Sequence, residues 1–345
     1  MGGLNILMDR FARWIPVLAL LYGLNACLPA DEKIVLPPPG DLTVAEADIG
    51  GTYAWRVYFH LGTGQSARVR TGGYDLAFES APDGRRVFVN FANVARAVST
   101  GNDDFSLPVR PSDYPDSVFN ADAAHARNDS LAFDLWDKGE TRPVFLLHRG
   151  EFQADAPAGL FQKVQILSVS ENQWTFRYGK PDDPVGNLVT LPKDPLFSQT
   201  YFSFEDGPTS VEPPKTDWHL VFTRFTINLS EEAASTDYKF YSATGALLNH
   251  LAGVKAAKIT PRTPGYIPFD SLKGKDVDKF PLSQDRDVIG YDWKEYGFET
   301  ALYQIVPNVY YLIRTPEDDY YKLRFVGFYN ASGRKGVPQF EYQRL

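Results

Sequence analysis

Residues 53–61 read Tyr-Ala-Trp-Arg-Val-Tyr-Phe-His-Leu, and this stretch sets the fold class. Tyr53, Trp55, Val57, Phe59 and Leu61 alternate with Ala54, Arg56, Tyr58 and His60. A period of two puts alternate side chains on opposite faces, so the segment predicts a half-buried β-strand. The same pattern recurs outward from it. Tyr74, Leu76 and Phe78 make a second strand, and Pro82-Asp83-Gly84 turns the chain into Val87-Phe88-Val89. Trp218, Leu220 and Phe222 share one face. The apolar phase then slips to Phe225, Ile227 and Leu229, as a β-bulge would require. Tyr321, Leu323 and Phe325 alternate with Lys322 and Arg324. Only residues 231–251 offer a candidate short helix. With 14% aromatic residues, 27 glycines and 25 prolines, the composition suits many short strands joined by turns. The expected class is all-β and antiparallel.

The chain nearly repeats itself. Tyr58-Phe59-His60-Leu61 and then Gly73-Tyr74-Asp75-Leu76-Ala77-Phe78 parallel Tyr201-Phe202-Ser203-Phe204 and then Asp217-Trp218-His219-Leu220-Val221-Phe222. Val144-Phe145-Leu146-Leu147-His148-Arg149 parallels Val309-Tyr310-Tyr311-Leu312-Ile313-Arg314. Gln162-Lys163-Val164-Gln165-Ile166 parallels Tyr321-Lys322-Leu323-Arg324-Phe325, and Phe176-Arg177-Tyr178 parallels Phe340-Glu341-Tyr342. Four matches in one order predict a duplication with two tandem domains, 46–180 and 195–345. The seam falls in residues 179–196, which hold Pro181, Pro184, Pro192, Pro195 and the pair Asp182-Asp183.

At the N-terminus, Arg10 and Arg13 flank an apolar run over residues 14–22, too short for the roughly 20 residues of a membrane span. It ends in Leu24-Asn25-Ala26-Cys27, which resembles a bacterial lipoprotein signal. The resemblance implies removal of residues 1–26 and lipid on Cys27, the single cysteine. Residues 27–45, with Pro29, Pro37, Pro38 and Pro39, then read as a semi-stiff tether holding a folded body off a lipid bilayer. The early Asp31-Glu32 pair is similar to the export signal that sends lipoproteins of Bacteroidetes-type bacteria to the cell surface.

Composition narrows the function. The net charge is −8, and no basic stripe exists on which to build a nucleic-acid site. Both methionines, Met1 and Met8, lie in the signal, so a processed chain would have no thioether and no free thiol for metal ligation or catalysis. There is no nucleophile elbow, no zinc-protease motif and no phosphate loop; Gly62-Thr63-Gly64 lacks the rest of a dinucleotide fingerprint. Glu317-Asp318-Asp319 after Pro316 reads as a solvated hairpin turn. Asp285, Asp287 and Asp292 are oxygen ligands without the spacing of a calcium loop. No enzyme is expected, and no metal site.

The second half resembles a known family. Tyr201-Phe202-Ser203-Phe204, Asp217-Trp218-His219-Leu220-Val221-Phe222, Tyr310-Tyr311-Leu312-Ile313-Arg314-Thr315, Tyr321-Lys322-Leu323-Arg324-Phe325 and Phe340-Glu341-Tyr342 are similar to HmuY proteins, all-β haem-binding surface lipoproteins of Bacteroidetes. Tyr74-Asp75-Leu76-Ala77-Phe78 resembles the family's Trp-Asp-Leu-Ala-Phe more faintly. The resemblance implies two tandem HmuY-like domains, haem as cofactor, an outer-membrane location and hand-over to a TonB-dependent receptor. Relatives hold haem iron with paired histidines or methionines before the last strands. Residues 289–309 here contain neither, which leaves Tyr291, Tyr296 and Tyr303 as local ligands, since tyrosinate can hold haem iron. Each also reads as a strand aromatic packing on the sheet. The five histidines show no local metal spacing, and His250 is the candidate partner for a pair assembled across the fold. A second reading keeps the scaffold and replaces haem by a glycan, a peptide or a partner protein.

Overall fold

A computed structural model of the chain describes residues 40–151, 159–229 and 240–345. The expected signal, Cys27 and most of the tether lie outside the described residues, which all belong to one compact unit. The architecture is all-β, with every strand pairing antiparallel.

In chain order the strands are β1 (Thr43–Glu46), β2 (Trp55–Phe59), β3 (Ser66–Arg70), β4 (Leu76–Glu79), β5 (Val87–Val89), β6 (Arg96–Ser99), β7 (Phe145–His148), β8 (Phe161–Val169), β9 (Gln173–Gly179) and β10 (Asn187–Pro192). There follow β11 (Gln199–Ser203), β12 (Gly207–Thr209), β13 (Leu220–Asn228), β14 (Phe240–Leu248), β15 (Lys255–Ile259), β16 (Lys294–Gly297), β17 (Leu302–Ile305), β18 (Tyr310–Arg314), β19 (Tyr320–Tyr329) and β20 (Lys335–Arg344). They build two sandwiches. One stacks the sheet β10-β9-β8-β7-β6 on β12-β11-β4-β5 around Phe78, Phe145, Ile166, Trp174, Phe176 and Phe202. The other stacks β1-β20-β19-β18-β15 on β14-β13-β2-β3 around Phe59, Phe222, Tyr311, Leu323, Phe325 and Phe340.

The repeat is visible strand for strand: β7, β8 and β9 hold the places in one sheet that β18, β19 and β20 hold in the other. The expected boundaries are corrected. β2 pairs with β13 and β4 with β11, while β1 pairs with β20, so the segment carrying β1 to β3 belongs to the sandwich of the C-terminal half. The stretch from β4 to β12 forms the other sandwich as an insertion between its two parts. A strand left at a sheet edge has unpaired backbone groups, and those of β13 and β20 are met by the N-terminal segment. The seam expected at residues 179–196 therefore does not separate two bodies.

Two further expectations change. The register between β13 and β14 runs unbroken from Leu220↔Leu248 to Asn228↔Phe240, with no bulge. The phase slip has another cause: β13 is buried on both faces, Phe222 in the sandwich core and Phe225 in the contact between sandwiches. The described part of the candidate helix is the strand β14, also buried on both faces, with Ala246 and Leu248 on one side and Ala243 and Leu247 on the other. Double burial erases the period of two that sequence patterning relies on.

The seam between β1 and β20 ends at Gly336, whose carbonyl accepts from Ile49 N at 2.9 Å. Gly336 has φ +86°, and a Cβ there would lie 2.3 Å from the Gly50 carbonyl oxygen. Gly336→Ala should therefore lose of order 1–3 kcal/mol, the scale of a strained backbone position. Urea unfolding of the variant checks this, and an unchanged midpoint would show that the seam yields without strain.

Candidate ligand-binding surface

Residues 294–305 fold back as the hairpin β16-β17, with Tyr296 directly opposite Tyr303. Lys294 and Tyr296 share one face of β16 because they are two residues apart. The Tyr303 ring packs on Phe328 of β19 at 5.0 Å, and Tyr329 Oη accepts from Tyr303 N at 2.7 Å, which pins the hairpin to the sheet. From there the aromatic contacts run outward. Tyr303 meets Tyr296 at 5.1 Å, and Tyr296 meets Phe298 edge-on at 5.4 Å with the rings at 90°. Inward, Phe328 meets Trp293, which stacks on Phe325 at 3.7 Å. Phe298 is 90% exposed and Tyr296 42%, with Leu302 and Tyr241 half exposed as well. This is a ridge of aromatic side chains rooted in the core and ending in water, an arrangement that marks binding surfaces.

Beneath the ridge lies Lys294, buried, with Nζ 4.4 Å from the Trp293 ring centroid and 4.9 Å from that of Phe328. Its ammonium donates to the carbonyls of Thr244 and Tyr291. Burial pushes Lys294 down to about 7. Burial, followed by the neighbouring tyrosines, pushes the Tyr303 hydroxyl up. Tyr303 thus stays a phenol, and Tyr296 carries the accessible hydroxyl of the pair.

The four expected site residues do not converge. Tyr296 and Tyr303 are together on the hairpin. Tyr291 lines a separate cleft of about 270 Å³ with His125, Lys258, Asp287 and Asp292, its ring 6.3 Å from Phe225. His250 is buried between the two sandwiches, and burial pushes its imidazole well below the usual range. It cannot reach a ligand on the ridge. Of the three acidic residues weighed for calcium, Asp285 is held by Arg127 at 2.6 and 2.8 Å and Asp292 pairs with Lys258. Among the described residues no group of three or more histidine, cysteine or acidic side chains is placed to hold a metal. Glu317-Asp318-Asp319 forms the β18–β19 turn, closed by Thr315 N to Asp319 O at 2.9 Å.

One pair escaped sequence reasoning. His60 and His219 are far apart in the sequence, yet their rings are 4.3 Å apart because β2 and β13 are neighbours. Glu317 approaches His219 Nε2 at 3.4 Å. Burial and then His60 push His219 down to about 4. His60 Nδ1 accepts from Gly62 N and Thr63 N, and His219 Nδ1 accepts from Leu61 N. His125 and His148 accept likewise from Arg127 N and Gly150 N. A neutral ring whose Nδ1 accepts carries its proton on Nε2. These four histidines therefore offer no free lone pair to iron in this conformation.

Strand pairing and ridge together define an all-β, two-sandwich protein whose candidate site is a surface for binding. Residues 197–342, a stretch that includes β13 to β19 and the whole hairpin, match the family described as HmuY protein. No curated protein matches the chain. Among solved structures it is similar to apo PinO from Porphyromonas gingivitis, at 9% identity and a TM-score of 0.28 over 88% of this chain and 97% of that one. It is also similar to the Tannerella forsythia apo HmuY analog TFO, at 10% identity and a TM-score of 0.31 over 90% and 98%. At such scores the architecture rests on the strand pairing described above.

Proposed function

We propose that this chain is a lipid-anchored surface protein that captures haem on the β16-β17 ridge and passes it to an outer-membrane receptor of the TonB-dependent kind. The observation that carries the reading is Phe298 beside Tyr296, aromatic area left in water at the end of a core-rooted stack. The family match, which spans the hairpin, and the expected lipid on Cys27 support it. Binding rather than bond making is implied. Phe298 and Tyr296 supply apolar faces for a porphyrin, and the Tyr296 hydroxyl is the accessible iron ligand. Tyr303, Tyr291 and His250 fall to supporting or separate roles.

Titration of the protein with hemin should give a Soret band distinct from the sum of protein and free hemin. Phe298→Ala should weaken binding roughly tenfold, the scale of one lost aromatic contact of about 1–1.5 kcal/mol. Tyr296→Phe should change the spectrum with little loss of affinity, since it keeps the ring and removes the hydroxyl. Absorbance that merely adds would rule haem out.

A second reading has its own support. The Tyr296 and Phe298 rings stand perpendicular, so they offer no single flat platform. Such a ridge suits the stacked face of a sugar or an apolar side chain of a peptide. Hemin failing while a glycan or peptide quenches tyrosine or tryptophan fluorescence would favour this alternative.

A further inference from the structure

Where the sandwiches meet, the outer faces of β2, β13 and β14 pack toward β11 and the turn at Phe91–Asn93. A small space remains there, lined by Arg56, Tyr201, Glu212, Trp218, His250 and Arg286 among others. Its volume of about 30 Å³ leaves room for a bound water or small ion.

Three polar nitrogens of lining residues have no partner: Arg56 Nε, Trp218 Nε1 and His250 Nε2. Their residues are 1%, 5% and 7% exposed. Arg56 Nε and Trp218 Nε1 can only donate. Leaving a buried donor unmade is expensive, so such atoms point to a bound acceptor.

The charge balance says what kind. Arg56 and Arg286 are both buried, and both guanidiniums lie over the Phe91 ring, at 5.2 and 4.6 Å. Among the described residues neither makes an ion pair with a carboxylate. Arg56 donates to Thr71 O and Tyr74 Oη, and Arg286 to the carbonyls of Ala124 and Ala123. Asp287 lies beside Arg286 and offsets part of its charge, though burial pushes that carboxyl up; two further carboxyls are otherwise engaged. Asp122 accepts from Val89 N and Ala132 N, and Glu212 accepts from Gln199 N and Tyr201 Oη. Burial pushes these two acids up to about 6 and about 7, so near neutrality they only partly balance the arginines. Two permanent cations in a dry interface call for a counter-charge.

We infer that this space is a binding site for a monatomic anion of the halide class, held by Arg56 Nε–H and Trp218 Nε1–H beneath the two guanidiniums. A space this small suits a compact inorganic anion, for which a halide is the probe. The site draws on both sandwiches, Arg56 and Trp218 from one and Phe91 and Tyr201 from the other, so the ion would fasten them together.

The test compares the thermal midpoint of the whole protein in sodium chloride, sodium bromide and sodium gluconate at equal ionic strength. Chloride and bromide should raise the midpoint by at least about 2 °C over gluconate, because a ligand that binds only the folded state stabilises it. Trp218→Phe, which keeps the ring and removes the N–H, should abolish the difference. Equal midpoints in all three salts would overturn the site, as would an undiminished halide response in Trp218→Phe. Should that variant not fold, wild-type crystals grown in bromide decide. An anomalous peak within reach of Arg56 Nε and Trp218 Nε1 supports the inference, and a water without anomalous signal overturns it.

Discussion

Arg149→Met should lose roughly 3–5 kcal/mol of stability, the scale for removing one partner of a buried ion pair. The Arg149 side chain is 2% exposed and reaches Asp75 with Nε at 2.8 Å and Nη2 at 3.1 Å. Two further bonds of 2.7 Å go to Glu205. Asp75, equally buried, also accepts from Phe204 N at 2.8 Å. This network joins the end of β7 to β4 and to the β11–β12 turn. Methionine would fill much of the volume but leave the Asp75 carboxylate without its cation. Burial already pushes Asp75 above the ordinary carboxylate range, so the variant should recover part of its loss as pH falls and Asp75 protonates. Denaturant unfolding at pH 7 and pH 4.5 measures both, and a loss below about 1 kcal/mol at pH 7 would refute the account. Adding Asp75→Asn to Arg149→Met should restore stability, because it removes the orphaned charge.

Glu212→Gln should stabilise the protein at alkaline pH. Burial pushes the Glu212 carboxyl from 4.5 up to about 7. The folded state thus prefers the neutral acid. Its contribution is fully present below pH 4.5 and is lost as pH rises to and through 7. At 1.36 kcal/mol per pKa unit the loss amounts to about 3 kcal/mol above pH 7. Glutamine keeps the shape, can accept from Gln199 N and can donate toward Tyr201 Oη, with no charge to bury. The variant should match wild type below pH 4.5 and exceed it by up to about 3 kcal/mol at pH 8.5. A difference that does not vary with pH would mean that burial leaves the Glu212 carboxyl at its ordinary value.

How much was legible can be traced through particular residues. The alternation around Val57 and Phe59, and that of Tyr321, Leu323 and Phe325, gave strands because polar or amphipathic Arg56, Tyr58, Lys322 and Arg324 interleave with the residues packed on one core. β2, expected to be half-buried, is nonetheless buried on both faces. The matched motifs 144–149 and 309–314 proved equivalent in their sheets. Yet equivalence of pattern did not carry equivalence of contact. Asp75 and Arg149 form a buried network, whereas their counterparts part company: His219 lies against His60 and Glu317, and Arg314 pairs with Asp318 at 2.5 Å. β13 and β14 misled because residues buried on both faces lose the period that reports a strand. Of the expected site residues, Tyr296 and Tyr303 share the hairpin because they are cross-strand neighbours, which short spacing can reveal. His250 was misplaced, since nothing local says that a histidine beside Leu251 will lie between two sandwiches.

By itself the sequence determined the secondary-structure class, the presence of a repeat and the family of the C-terminal stretch, because each depends on residue types at short, regular intervals. The tertiary structure decided which half completes which sheet, that Arg56 and Arg286 share a dry interface, that His60 meets His219, and that Phe298 stays in water. Those depend on which surfaces are buried against which, a choice made by long-range strand pairing and packing that period and composition do not encode.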